Sequence, residues 1–315
     1  MARTCLVIGC SGQDGSYLSK SLLKKGFTVV GTSRSEHKHR KNHRILGIED
    51  EFKIMRLNLN KKEEIKEVII ANKPDIIYNL SAQSSVGISF DKPLETQVSI
   101  VNSTANLLEA CRELSFNGVL FFAGSSEIFG NTEPQANINS YISPMSPYAL
   151  AKYQSFELVK LYRKIYNLRS VTGILFNHES PLRDKRFVTH KVINSAIECS
   201  KDKNKKFQFG NIEIVRDWGW AEEYVEAMQA IANQSKLKDH LICTGIGVSL
   251  QDIIELSFKQ FDLDWREHIE INQNLIRKNE ILKSIGDPKS LLQDLKWKPN
   301  LEIKEIIKKL ISSSI

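Results

Sequence analysis

Residues 4–15 read Thr4-Cys5-Leu6-Val7-Ile8-Gly9-Cys10-Ser11-Gly12-Gln13-Asp14-Gly15. A short apolar run stops at Gly9. Beyond the glycines, Tyr17-Leu18 and Leu22-Leu23 recur at helical spacing. The stretch therefore predicts a buried strand, a tight turn and a helix. Gly9 allows the turn, Gly12 lets the backbone approach a pyrophosphate, and Gly15 allows close helix–strand packing. The helix N-terminus adds free N–H groups and the positive end of its dipole. The G-x-x-G-x-x-G spacing alone also fits a purely structural turn. Its position between a strand and a helix makes it a candidate dinucleotide site.

Further strands are predicted at Phe27–Gly31, Phe52–Leu59, Asp75–Leu80, Val119–Ala123 and Ser170–Phe176. Helices are predicted at Lys62–Asn72, Val101–Leu114 and Tyr148–Tyr166. Alternating strands and helices, with near-continuous apolar strands, imply a parallel sheet covered on both faces. Right-handed crossovers then make it a doubly wound, Rossmann-type α/β fold. The second half is less regular. It offers helices at Phe187–Cys199, Ala221–Ala232, Leu250–Phe261 and Leu301–Ile311, and a returning strand at Leu241–Thr244. The expected division is a dinucleotide-binding domain over 1–176, with a returning segment at about 218–246. A smaller, C-terminal substrate-binding domain takes 177–217 and 247–315.

The chain of 315 residues is long enough for a sizeable core. Its net charge of +7 favours anionic ligands, but the charge is spread along the chain apart from a dense stretch at Arg34–Arg44. Spread charge argues against a nucleic-acid footprint. No apolar run approaches the ~20 residues of a membrane span, and the N-terminal run is too brief for a signal peptide. Five cysteines without a C-x-x-C pair argue against a disulfide framework or a structural metal site. The expectation is a cytoplasmic protein with reduced thiols, no metal, no membrane and no nucleic acid.

The second strand runs into Gly31-Thr32-Ser33-Arg34, where an NAD-binding fold usually carries an acid. The hydroxyls and Arg34 suit a 2′-phosphate, so NADP is the expected cofactor. The alternative is that Arg34 belongs to a solvated basic loop.

Tyr148-Ala149-Leu150-Ala151-Lys152 is Y-x-x-x-K, which puts both side chains on one helix face. A nearby ammonium is expected to lower the phenol pKa towards neutrality. The motif alone occurs by chance. Here it follows the glycine loop by about 135 residues, and Ser125-Ser126-Glu127 ends the fifth strand. That strand edge is where ligands bind in such sheets.

These elements resemble the extended short-chain dehydrogenase/reductases, and most closely the GDP-mannose 4,6-dehydratase family. The likeness continues in Asn79-Leu80-Ser81-Ala82-Gln83-Ser84, in Asn177-His178-Glu179-Ser180-Pro181 and in Arg216-Asp217-Trp218-Gly219. It implies a nucleotide-sugar dehydratase with bound NADP as internal hydride carrier. Tyr148 would take the proton of a sugar C4 hydroxyl, with Ser125 on the C4 oxygen and Lys152 supporting Tyr148. Glu127 would remove the C5 proton, and water would leave from C6. The resemblance implies cofactor contacts from Gly9, Ser11, Gly12, Gln13, Asp14, Gly15, Arg34, Asn58, Leu59, Leu80, Ser81, Ala82, Ser84, Tyr148, Lys152, His178 and Arg183. It implies contacts to a GDP-mannose or related GDP-sugar from Ser85, Ser125, Asn177, Val188, Lys191, Arg216, Arg277 and Glu280. A homodimer or homotetramer is implied as well.

The chain departs from the family pattern at several points. Ser125 stands for a threonine, Glu95 for a tyrosine near the cofactor, and Leu182 for the first of two arginines. These changes leave mannose or a heptose open as the sugar. A GDP-4-keto-6-deoxy-mannose reductase or an epimerase would need the serine, tyrosine and lysine but not Glu127. A catalytically silent NADP-binding regulator is the third reading, and the complete set of four residues argues against it.

Overall fold

The structure is a computed structural model that describes residues 2–34, 40–276 and 279–315. Its strands are β1 Thr4–Ile8, β2 Thr28–Ser33, β3 Lys53–Arg56, β4 Ile76–Asn79, β5 Val119–Ser125, β6 Ser170–Leu175, β7 Asn177–Glu179, β8 Phe207–Phe209, β9 Val215–Trp220, β10 His240–Ile242, β11 Gly247–Ser249, β12 Ile269–Ile271 and β13 Lys283–Ser284. Its helices are α1 Gln13–Lys24, α2 Lys41–Ile45, α3 Lys62–Asn72, α4 Val86–Asp91, α5 Pro93–Gln97, α6 Ser103–Glu113, α7 Pro147–Tyr166, α8 Val188–Lys201, α9 Ala221–Ala232, α10 Leu250–Lys259, α11 Lys289–Leu295 and α12 Ile303–Ser312.

Seven parallel strands form the central sheet in the order β3-β2-β1-β4-β5-β6-β10. The strand order reverses between β1 and β4, which opens a crevice at the carboxyl ends. Alternation within each strand divides the core. Cys5, Val7, Tyr78 and Phe121 face α1 and α9 through Leu18, Leu22 and Met228. Leu6, Ile8, Ile77 and Leu120 face α3 and α6 through Ile65, Ile69 and Leu107. Both faces are buried, which is why the strands read as continuous apolar runs. All five cysteines are buried and free. No helix among the described residues is long and apolar enough to cross a membrane.

A second core lies outside this sheet. Ile193 and Ala196 of α8, Ile254 and Phe258 of α10, and Ile306 and Leu310 of α12 close on Trp218 and Trp220 of β9. Burying each large aliphatic side chain there stabilises by roughly 1.5–3 kcal/mol. A small sheet, β11-β9-β13 with β7 paired to β9, brings this core against the main sheet.

The predicted strands and long helices are present with shifts of a few residues at their ends. The helix expected over Val101–Leu114 is the last part of a longer run. Ser85 caps α4, Pro93 opens α5, and a π-helical turn at Val98–Asn102 leads into α6. The short strands β7 to β9 and β11 to β13 were not predicted.

His240 sits fully buried beside α11, with Nδ1 2.9 Å from the Ser290 Oγ and Nε2 3.3 Å from the Gln234 Oε1. Burial holds its pKa below the ordinary 6.5, with the Asp294 charge opposing. The unfolded chain therefore takes up the proton first, and stability is lost as pH falls through about 6.5. Tm should drop between about pH 7.5 and 5.5. His240→Asn should flatten that slope in thermal melts. An unchanged slope would remove His240 from the acid sensitivity.

Candidate active site

The glycine turn sits where the sequence put it. Gly9 has φ +85°, and a Cβ there would stand 3.0 Å from the backbone of Ser81. A Cβ on Gly15 would stand 2.2 Å from the Gly9 carbonyl oxygen. Only glycine allows β1, the turn and α1 to approach this closely. No side chain caps α1 at Gly12, so its first-turn N–H groups face the crevice mouth. The loop is braced from below by α2. The Asn42 Nδ2 donates to the Ser11 carbonyl at 3.0 Å, and the buried His43 ring meets the Cys10 carbonyl at 2.8 Å.

Above the turn lies a cleft of about 1460 Å³. Gly9, Ser11, Gly12, Gln13, Asp14, Gly15, Leu80, Ala82 and Ser84 line its glycine-loop side. Ser125, Glu127, Tyr148 and Lys152 stand at its centre, with His178 and Arg183 beside them. Ser85, Asn177, Val188, Lys191, Arg216 and Glu280 line it as well.

Four expected residues are not brought to this cleft. Arg34 is exposed and lines a neighbouring cavity of about 620 Å³ with Asn60, Gln83 and Glu95. The two cavities share Ala82, Gln83, Ser84, Ile88 and Arg186. Asn58 and Leu59 follow β3, and the Leu59 carbonyl accepts from the Asn106 side chain at 2.9 Å. Ser81 packs under Gly9 and donates its hydroxyl to Asn79 at 2.9 Å. Arg277 lies outside the described residues. Gln83, Asn194, Asn211 and Trp218 also line the cleft, and the sequence reading gave them no role. Gln83 and Trp218 lie inside stretches already singled out, so only their geometry was missing.

Local structure explains how the central residues are held. Ser125 ends β5, and its Oγ accepts from the Glu127 N–H at 3.4 Å at the start of a 3₁₀ turn, Ser126–Phe129. Ser146 caps α7 by accepting from the Ala149 N–H, and Pro147 fixes the first turn, so Tyr148 points back towards β5. One turn on, the Lys152 Nζ donates to the Ala123 carbonyl at 2.8 Å and lies 5.8 Å from the Tyr148 ring centre.

The electrostatics correct one expectation. Burial pushes the Tyr148 phenol up to about 12, with the Ser125 hydroxyl pulling the other way and the Glu127 charge adding to the rise. The phenol does not fall towards neutrality, and burial also weakens Lys152, down to about 8 against the pull of the Asp14 charge. Both groups lie in low dielectric, where desolvation outweighs a cation held on a backbone carbonyl.

The loop after β7 is stitched to the glycine turn. The His178 Nε2 lies 2.9 Å from the Asp14 Oδ1, and its Nδ1 lies 2.7 Å from the Phe176 carbonyl. The Gln13 Nε2 donates to the His178 carbonyl, and the Ser180 hydroxyl donates to the Gln13 Oε1 at 2.7 Å. Burial acts to raise the Asp14 carboxyl, but His178, Gln13 and Arg183 hold it below its ordinary value. Arg216 is buried and donates to the Ile281 carbonyl at 2.7 Å. The buried Glu280 Oε2 has no hydrogen-bond partner among the described residues. Glu95 turns out to solvent, paired with Lys92 at 2.9 Å, and Leu182 is absorbed into the main core.

A parallel sheet, a glycine turn, and serine, tyrosine and lysine at its carboxyl edge define a short-chain dehydrogenase/reductase. Solved structures share the fold. UDP-glucose 4-epimerase from Thermus thermophilus in complex with NAD superposes with a TM-score of 0.85 at 22% identity, covering 98% of each chain. dTDP-glucose 4,6-dehydratase from Bacillus anthracis in complex with NAD gives 0.85 at 16%, covering 99% of this chain and 96% of that one.

Sequence narrows the class. The family model described as GDP-mannose 4,6 dehydratase matches residues 6–310. GDP-mannose 4,6 dehydratase 1 of Arabidopsis thaliana is 35% identical, over 99% of this chain and 90% of its own. The human GDP-mannose 4,6 dehydratase is 33% identical, over 98% and 91%. The Vibrio cholerae GDP-mannose 4,6-dehydratase is 30% identical, over 100% and 94%. The chain belongs to the GDP-mannose 4,6-dehydratase family.

Proposed function

We propose that this protein is an NADP-dependent GDP-mannose 4,6-dehydratase, which converts a GDP-hexose or GDP-heptose to its 4-keto-6-deoxy derivative. The observation that carries the reading is Glu127. It shares one cleft with Ser125, Tyr148 and Lys152, in a chain that matches dehydratases along its whole length. A reductase or epimerase has no use for a second base beside the tyrosine.

The glycine cradle and the uncapped end of α1 fit the pyrophosphate of a dinucleotide. A bound nicotinamide would supply reversible hydride storage, so that the hydride lost from C4 is returned at C6 and the cofactor ends oxidised. Lys152 and His178 would hold the ribose and nicotinamide half, and Arg183 would support them. Ser125 would hydrogen-bond the sugar C4 oxygen, and Tyr148 would take the C4 hydroxyl proton. Lys152, 5.8 Å from the Tyr148 ring centre, would favour this step by holding positive charge near the phenol. Glu127 would take the proton from C5, made acidic by the neighbouring ketone, and pass it to the C6 hydroxyl, which would leave as water. Arg216 and Lys191 suit the diphosphate, and the unsatisfied Glu280 oxygen suits a ribose hydroxyl. This reading keeps a dinucleotide-binding domain over 1–176 with a returning segment at about 218–246, and a substrate-binding domain over 177–217 and 247–315.

Arg34 carries the choice of NADP over NAD. Its cavity adjoins the cleft through Ala82 and Ser84, at the end of β2 where a ribose 2′-phosphate would reach. Arg34→Ala should weaken NADP⁺ binding by roughly tenfold or more and NAD⁺ binding little. Equal loss for both in titration calorimetry would show that Arg34 does not read the phosphate. The reduced buried thiols support a cytoplasmic setting. Exposed Leu94, Val98, Leu150 and Leu161 near the α5–α7 face support assembly as a homodimer or homotetramer.

The test is incubation with GDP-mannose and catalytic NADP⁺, followed by mass spectrometry. A product lighter by one water, with no net NADPH formed or used, is expected. Intact GDP-mannose and intact GDP-heptose, with NADPH consumed on a 4-keto substrate, would replace this reading by the reductase.

A further inference from the structure

Glu179 closes β7 and is 1% exposed. Its Oε2 accepts the Thr189 hydroxyl at 2.5 Å and lies 3.3 Å from the Arg183 Nε. Its Oε1 is buried without a hydrogen-bond partner among the described residues. A half-satisfied buried carboxylate costs stability, so packing alone would be better served by an amide or an apolar side chain. The position of the charge explains its use. Arg183 reaches from the cofactor side, with its Nη1 on the His178 carbonyl and its guanidinium 4.1 Å from the Phe187 ring centre. Thr189 is the second residue of α8, the helix that brings Val188 and Lys191 to the cleft. One carboxylate therefore touches both halves, and it also stands at the positive end of α8.

We propose that Glu179 is a positioning residue, one that fixes Arg183 on the cofactor side and the first turn of α8 on the sugar-nucleotide side. The inference rests on the function proposed above. Glu179→Gln keeps the size and an acceptor for Thr189 but removes the charge facing Arg183. NADP⁺ affinity should fall about tenfold, and GDP affinity should change little. Thr189→Val removes only the hydroxyl. It should lower GDP affinity and leave NADP⁺ affinity unchanged, and Thr189→Ser should restore GDP binding.

The experiment is titration calorimetry with NADP⁺ and with GDP on the wild type, Glu179→Gln, Arg183→Met and the double variant, with circular dichroism to verify folding. In the Arg183→Met background, Glu179→Gln should cost no further NADP⁺ affinity. Equal losses in both backgrounds would make Glu179 a purely structural residue and overturn the proposal. If Glu179→Gln does not fold, the Thr189 pair decides, and unchanged GDP affinity in Thr189→Val overturns it. A wild type that binds neither NADP⁺ nor GDP would overturn the proposed function and this inference with it. Normal wild-type binding with additive losses overturns this inference alone.

Discussion

Tyr148→Phe is expected to lower turnover of GDP-mannose by about 10²- to 10⁴-fold while leaving the fold and Tm nearly unchanged. The substitution removes one hydroxyl from a ring that stays packed against Ile100 and Ala151. The phenol oxygen lies beside Ser125 and Glu127, at the edge of β5, where a substrate hydroxyl would need a proton acceptor. No other tyrosine lines the cleft among the described residues. The loss should appear in kcat, since the hydroxyl acts on the reacting proton rather than on the nucleotide that supplies most of the binding. Turnover within a few-fold of the wild type would take Tyr148 out of the proton transfer.

Glu127→Gln is expected to separate the two halves of the reaction. The amide keeps the shape of the 3₁₀ turn but cannot accept a proton at C5. Product formation should fall by about 10²-fold or more, and deuterium from solvent should no longer enter the sugar at C5. Oxidation at C4 should continue, seen as a stoichiometric rise in reduced-nicotinamide absorbance. This outcome differs from that of Tyr148→Phe, in which neither signal should appear. Unchanged product yield would show that another group removes the C5 proton.

The chain itself determined the sheet and the position of its crevice. Thr4–Ile8 is apolar on both faces because helices cover both, and that reads directly as a buried parallel strand. Gly9 and Gly15 are required by steric contacts within a dozen residues of one another, so their meaning is local. Tyr148 and Lys152 share a helix face by periodicity alone. Helices α3 and α9 match their predicted bounds, Lys62–Asn72 and Ala221–Ala232, because their burial pattern has a clear helical period.

Other features were decided only when distant segments met. The β9 sequence, VRDWGW, carries two charges where a strand should carry apolar residues. Asp217 is tolerated because Thr244, Gly245 and Gly286 donate to it from two other loops, and burial still raises it to about 6. Arg216 is tolerated because the Ile281 carbonyl receives it. The strands paired to β9 are two or three residues long, too short for any period to show. The weakening of Lys152 and the rise of Tyr148 follow from burial, which depends on how β5, α7 and the loop after β7 close together. Residue order fixed which groups could do the chemistry, because helix and strand periods are local. Their charge states, and the carboxylate of Glu179 between two binding surfaces, depend on desolvation and long-range contacts, which no local pattern encodes.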